Sequence, residues 1–464
     1  MRLNGNVVDE LNRSIDQLRR EFAQRNPLSE RAALDARRVL PGGNTRSVLF
    51  YEPFPLTILS GKGADITDLD GHSYADFVGE FSAGLYGHSD AVIRKAIIDA
   101  LDDGTVLAGP NRYEAKFAES LQSRFPSMEL LRFCNSGTEA NILALVTAQY
   151  FTRRRKIMVF EGAYHGGVLV FPIGGSPINV PFDFIVAPYN DGDAAAKLIK
   201  ENQNDLAAVI VEPILGAGGN LPGTTDFFSA LRRETEAVGT LLIFDEVKTS
   251  RCGAAGMQGR IGIRPDLTTL GKYLGGGLPI GAFGGRTDIM DHYNPYKPDS
   301  LRHAGTFNNN VCTMAAGLAG LTKVFTPERA DVFHEESERL RLEFQRIVDL
   351  SSVPLCFTGL GSLCTLHLAG TPLQEAADVT PLSRRVGLLF HMYGLLNGVA
   401  VAGRGDFYQS LPMTAAHRQA ASAVLAAFVG EYGELISSLA EENARALPRS
   451  ACLQRISTNR QSNA

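Results

Sequence analysis

The chain has 464 residues, 44% of them hydrophobic and 20% charged, and a formal net charge of −5; one core rarely organises that length, so two or more packed units are expected. The mild acidity gives no pull toward nucleic acid or an anionic membrane, and no uninterrupted apolar run reaches the roughly 18 residues of a membrane span. The N-terminus is polar and mixed in charge, without a signal-peptide core, and the six cysteines (Cys134, Cys252, Cys312, Cys356, Cys364 and Cys452) form no CxxC pair, which suits reduced thiols in a cytoplasmic protein rather than a zinc site.

Val8, Leu11, Ile15, Leu18 and Phe22 recur at three- and four-residue spacing and predict an N-terminal helix to about Phe22. Leu40-Pro41-Gly42-Gly43 breaks the chain. Extended segments are expected around Leu56-Thr57-Ile58 and from Asp65 to Asp68, with Asp70-Gly71 as a hairpin-turn signal. From about Ala91 to Phe325 helix and strand alternate. Helical periodicity over Tyr113–Phe125 precedes the apolar run Leu130–Cys134, and Gly137–Phe151 is helical again. Short β-rich runs follow at Ile157–Phe160, Ala208–Val211, Leu241–Phe244 and Ile280–Phe283. This pattern predicts an α/β fold with a mostly parallel sheet covered by helices, whose ligands sit beyond the carboxyl ends of the strands. After Phe325 a charged helix opens at Pro327-Glu328 and runs to about Leu350. A strand at Val399–Ala402 and a final helix over Ala415–Ala446 complete a smaller C-terminal α/β domain. The expected division is an N-terminal segment (1–75) packing with the small domain, a large cofactor-binding domain (76–325), the small domain (326–447) and a polar tail (448–464).

Four stretches carry chemistry. Lys272 lies in Leu270-Gly271-Lys272-Tyr273, ahead of Gly275-Gly276-Gly277. Asp245 ends the apolar run Leu241–Phe244, where an unpaired carboxylate would be costly to bury. An aspartate delivered by a strand and a lysine in a glycine-flanked loop suit pyridoxal 5′-phosphate: the amine holds the aldehyde as an imine, and the carboxylate keeps the pyridine nitrogen protonated. Ser136-Gly137-Thr138 joins a strand end to a helix start, which makes an anion cradle of free N–H groups and hydroxyls; either hydroxyl could equally be an N-cap. Tyr164, in Glu161-Gly162-Ala163-Tyr164-His165-Gly166, could lie against a cofactor ring. His165 is read as a packed, hydrogen-bonded histidine, and Glu212 as a support of the site through hydrogen bonds.

These residues, with Pro41-Gly42-Gly43-Asn44, Asp245-Glu246-Val247, Pro265-Asp266-Leu267-Thr268 and Gly271–Gly285, resemble a class III, fold type I pyridoxal-phosphate aminotransferase from about Pro41 to Ala402. The chain is most similar to the glutamate-1-semialdehyde aminomutase branch. The resemblance implies that Lys272 is the Schiff-base lysine, Asp245 meets the pyridine nitrogen, and Val247 and Tyr164 cover the two ring faces. It further implies that Ser136, Gly137 and Thr138 hold the phosphate. Thr306, in Gly305-Thr306, would reach the phosphate of the partner subunit in a homodimer with shared active sites. Departures from the aminomutases at Ala402-Gly403-Arg404-Gly405-Asp406, at Arg46 and at Gly79-Glu80-Phe81 resemble the β-amino-acid aminotransferases, especially the β-phenylalanine type.

Arg46, Arg404, Glu80 and Phe81 are therefore expected to bind substrate, the arginines by forked recognition of a carboxylate. Lys248 stands where many class III enzymes carry Gln, and nothing is drawn from it. The expected reaction moves the amino group of a β-amino acid to 2-oxoglutarate or pyruvate. An aminomutase or an amino-acid racemase on the same scaffold is the alternative, separated by acceptor dependence. No G-x-G-x-x-G follows a strand, which disfavours a nicotinamide oxidoreductase.

Overall fold

Seven strands form the central sheet of the computed structural model, which describes residues 5–371 and 373–446. They are β1 (Leu130–Cys134), β2 (Lys156–Phe160), β3 (Asp183–Ala187), β4 (Leu206–Val211), β5 (Leu241–Asp245), β6 (Leu267–Gly271) and β7 (Gly281–Gly285). Their spatial order is β1-β7-β6-β5-β4-β2-β3. All run in one direction except β7, which pairs antiparallel with β6 and with β1. β4 and β5 are buried at every position, as strands covered on both faces must be. Glycine lets β7 insert: a Cβ at Gly281 would stand 2.1 Å from the Ser136 carbonyl oxygen.

The alternation of apolar runs did not predict β3 or β6. β3 is an edge strand, partly exposed and opening on Asp183, and β6 carries Thr268 and Thr269 instead of aliphatic residues. Lys272 thus follows a strand directly and opens the 3₁₀ turn Lys272–Gly275, rather than lying in an open loop.

The N-terminal helix α1 (Gly5–Arg25) buries Leu11, Ile15, Leu18 and Phe22. Those residues share a core with α3 (Pro327–Ser351), α4 (Pro381–Leu396) and α5 (Ala415–Ala446). Asp70 ties this region to the chain ahead of it. Its carboxylate accepts from the Leu28 and Ser29 amides at 2.7 and 3.0 Å, at the start of the helix Pro27–Ala36. Strands Ile58–Lys62, Asp65–Asp68 and Ser73–Asp76 form an antiparallel set, and Val399–Ala400 adds to it in parallel through Val399 opposite Ala75. A second small sheet comprises Leu355–Leu360, Leu363–Leu368 and Asp406–Tyr408.

Over Ala415–Asn443, α5 has the length and mean hydropathy (1.3) of a membrane span. Its apolar face, however, including Ala421, Leu425, Phe428, Ile436 and Leu439, is buried in the core shared with α1, α3 and α4. The five described cysteines are unpaired and buried; Cys452 and the tail expected from 448 lie outside the described residues.

Candidate active site

Asp245 ends β5 opposite Thr269 of β6, three residues before Lys272, so adjacent parallel strands deliver both to one edge of the sheet. Only 4% of Asp245 is exposed, yet its carboxylate is fully engaged. Oδ2 meets His165 Nδ1 at 2.7 Å and accepts from Asn141 Nδ2 at 2.8 Å, while Oδ1 accepts from the Val247 amide at 3.0 Å. Asn141 lies on α2 (Gly137–Thr152) and is itself oriented: Thr269 Oγ1 donates to its Oδ1 at 2.6 Å, and its Nδ2 also donates to the His165 carbonyl at 2.8 Å. The cost of burying the carboxylate is offset by donors from three elements. From sequence alone His165 reads only as a packed, hydrogen-bonded histidine, and neither Asn141 nor Thr269 stands out. The polar positions of an otherwise apolar helix and strand were the available signal.

Lys272 has a left-handed backbone, φ +56, and is half-buried. Burial lowers the proton affinity of its amine, and the charges of Asp245 and Glu212 pull the other way. Glu212, 5% exposed, accepts from the Tyr164 amide at 2.9 Å and the Gly216 amide at 3.0 Å; burial raises its pKa. The neighbouring Glu246 serves the fold, accepting from Thr249 Oγ1 at 2.5 Å and from the Met257 and Gln258 amides at 3.1 and 2.7 Å.

Ser136 is the N-cap of α2 and its Oγ accepts from the Glu139 amide at 3.1 Å, while Thr138 Oγ1 accepts from the Gly167 amide at 3.2 Å. A Cβ on Gly137 would stand 2.8 Å from Val247 Cγ1, and one on Gly166 would stand 2.4 Å from Thr138 Oγ1. The helix start, Val247 and the Tyr164–Gly166 strand therefore close around one space. Tyr164 is 45% exposed between buried neighbours.

The remaining predicted residues fall into two groups and one outlier. Arg46 pairs with Glu80 and lies 5.7 Å from the Phe81 ring centroid. Gly79, Glu80, Phe81 and Ser82 form a left-handed run, with φ from +48 to +78, a sparsely populated state for three non-glycine residues. Phe81 packs against a buried cluster that includes Ile214, Leu363 and Tyr408. Arg404 is held instead by Asp406, whose Oδ2 accepts from its Nε and Nη2 at 3.1 and 2.8 Å. The outlier is Thr306, exposed on a groove it lines with Val106, Leu107 and Phe307.

Residues 50–402 match the family model described as aminotransferase class-III. The chain belongs to that family. This aminotransferase is 48% identical over 417 residues to the beta-phenylalanine transaminase of Variovorax paradoxus, covering 90% of this chain and 96% of the relative. A crystal structure of a beta-phenylalanine aminotransferase from the same organism superposes with a TM-score of 0.90 at 47% identity, over 92% of this chain and 99% of that one. A glutamate-1-semialdehyde 2,1-aminomutase of Ignicoccus hospitalis is 35% identical, covering 79% and 90%. A solved transaminase with PLP bound superposes with a TM-score of 0.81 at 29% identity, over 90% and 99%.

The cofactor of this class III aminotransferase is pyridoxal 5′-phosphate, and the residues present fit it. The start of α2 offers N–H groups and hydroxyls to a phosphate. Asp245 offers a buried anion to a ring nitrogen, and Lys272 an amine whose proton is loosened by burial.

Proposed function

We propose that this aminotransferase takes the amino group of a β-amino acid, aromatic as in β-phenylalanine, and passes it to 2-oxoglutarate or pyruvate. The observation that carries the reading is the half-buried Lys272 amine, its pKa lowered by burial beside Asp245 and Glu212. The printed activity of the Variovorax relative supports the donor class.

When bound, the cofactor supplies an electron sink for the carbon that bears the amino group. Lys272 would hold the aldehyde through its amine, and that amine when free would move a proton at the substrate carbon. Asp245 would keep the ring nitrogen protonated, with His165 and Asn141 fixing the carboxylate. Val247 and Tyr164 would cover the ring faces, and Ser136, Gly137 and Thr138 would hold the phosphate. Arg404 takes the carboxylate of donor and acceptor in turn. Arg46, bridged to Glu80 and beside Phe81, borders the space for the aromatic group. Thr306 serves the partner's site in a cytoplasmic homodimer, a reading supported by its place on an exposed groove with apolar walls.

Two measurements test the reading. Borohydride reduction followed by peptide mapping should find the cofactor on Lys272 alone. A panel of α-, β- and ω-amino donors, followed by loss of visible absorbance, should single out aromatic β-amino acids. Product formation from glutamate-1-semialdehyde without a keto-acid acceptor would favour the aminomutase instead.

A further inference from the structure

The site holds a second buried amine. Lys248 follows Asp245 by three residues and is 8% exposed; its Nζ donates to Asn220 Oδ1 and, at 3.4 Å, to the Tyr408 hydroxyl. That hydroxyl donates at 3.0 Å to Asp406 Oδ2, the oxygen that also holds Arg404. On the other side Asn220 Nδ2 donates to Thr365 Oγ1 at 2.7 Å, and Thr365 donates to Asp406 Oδ1 at 2.7 Å. The contacts close into a ring, Lys248–Asn220–Thr365–Asp406–Tyr408, with Arg404 attached to its carboxylate. Lys248 and Asn220 come from the large-sheet half of the chain, and the rest from the small sheet.

We infer that Lys248 is a positioning residue for Arg404, anchoring through Tyr408 and Asn220 the carboxylate that aims the guanidinium at a substrate carboxylate. The inference rests on the reading of Arg404 given above. A charged lysine is a donor only, so Tyr408 must direct its own proton to Asp406. A neutral lysine offers a lone pair. The Tyr408 proton can then turn to Nζ, and Asp406 Oδ2 loses a donor. Among the described residues, the charged and titratable groups facing Lys248 are Glu212 after β4, Lys272 after β6, the thiols of Cys252 and Cys364, and Arg404, Asp406 and Tyr408 at the small sheet. Burial, reinforced by the cations Lys272 and Arg404, brings the amine down to about 7 against the pull of Asp406 and Glu212. The ring therefore changes state near neutral pH.

The test compares holoenzyme of the wild type, Lys248→Met, Lys248→Gln and Arg404→Ala. The first readout is the ratio of kcat/KM for an aromatic β-amino acid to that for the aryl amine lacking the carboxylate. The second is calorimetric affinity for the unreactive 3-phenylpropanoate from roughly pH 6 to 8.5, a range spanning the expected transition. Lys248→Met should lower the ratio about tenfold, and wild-type affinity should weaken about fivefold as pH rises through the transition. Lys248→Gln, which keeps donors without charge, should hold the ratio within about threefold of wild type and show no pH step. A Lys248→Met ratio equal to wild type, or a pH step surviving in either Lys248 variant, overturns the inference. If Arg404→Ala costs the acid and the amine equally, the Arg404 reading fails first and the inference with it.

Discussion

Asp245 and His165 meet at 2.7 Å in the interior of the site, 80 residues apart in the chain and both nearly inaccessible to water. With Asn141 on the same oxygen, the histidine leaves the carboxylate one orientation, and under the proposed function a carboxylate so held would act on a ring nitrogen at little cost in reorganisation. Asp245→Asn keeps the shape and deletes the charge. Single-turnover measurements should show the half-reaction slowed about a hundredfold or more, with the fold intact by circular dichroism. An unchanged rate would remove Asp245 from the chemistry.

Gly137→Ala puts a methyl group within 2.8 Å of Val247 Cγ1. Either the start of α2 or Val247 must give way, and both are proposed to hold the cofactor. Equilibrium dialysis should find coenzyme affinity reduced about tenfold, the effect of roughly 1.4 kcal/mol.

Arg251 is a fully buried staple between the two halves. It donates from Nε to Ser362 Oγ at 3.0 Å, from Nη1 to the Ser82 carbonyl at 2.8 Å, and from Nη2 to the Gln409 carbonyl. Arg251→Met leaves these acceptors without donors, at about 1–3 kcal/mol for each that water cannot reach. Thermal unfolding should begin several degrees earlier, with the loss concentrated around Ser82, Ser362 and Gln409.

Acid should destabilise the chain before its carboxylates titrate. Burial lowers the pKa of His391 from 6.5 to about 4, with its Nδ1 facing the Val401 carbonyl at 2.7 Å. A folded pKa below the unfolded one means that unfolding takes up a proton as the medium acidifies. Stability present above pH 6.5 is lost as the pH falls toward about 4. The loss amounts to about 3 kcal/mol for this group. Melting temperature against pH should slope down through that window, and His391→Gln should flatten the slope.

The central strands were legible because β4 and β5 are apolar at nearly every position; Asp245 stood out because it ends such a run, and Lys272 because glycines flank it. β6 escaped notice because its threonines face polar partners: Thr268 meets Ser127, and Thr269 meets Asn141. The network around Arg404 was out of reach for another reason. Asn220, Lys248, Thr365 and Tyr408 meet only after folding, and each alone reads as an ordinary polar residue. The relation of Arg46 to Glu80 was half visible: both were expected at the substrate, but their pairing depends on the left-handed turn beginning at Gly79.

Ala75 lies opposite Val399 and its amide donates to the Gly398 carbonyl at 2.9 Å, so the first β-set of the molecule is completed only by a segment translated roughly three hundred residues later. The stretch from about Ala91 to Phe325 can collapse around the central sheet while the ribosome is still working, leaving α1 and its greasy stripe without a seat. A nascent chain halted near residue 330 should therefore display a folded middle and a sticky leader, making that leader a natural landing place for chaperones.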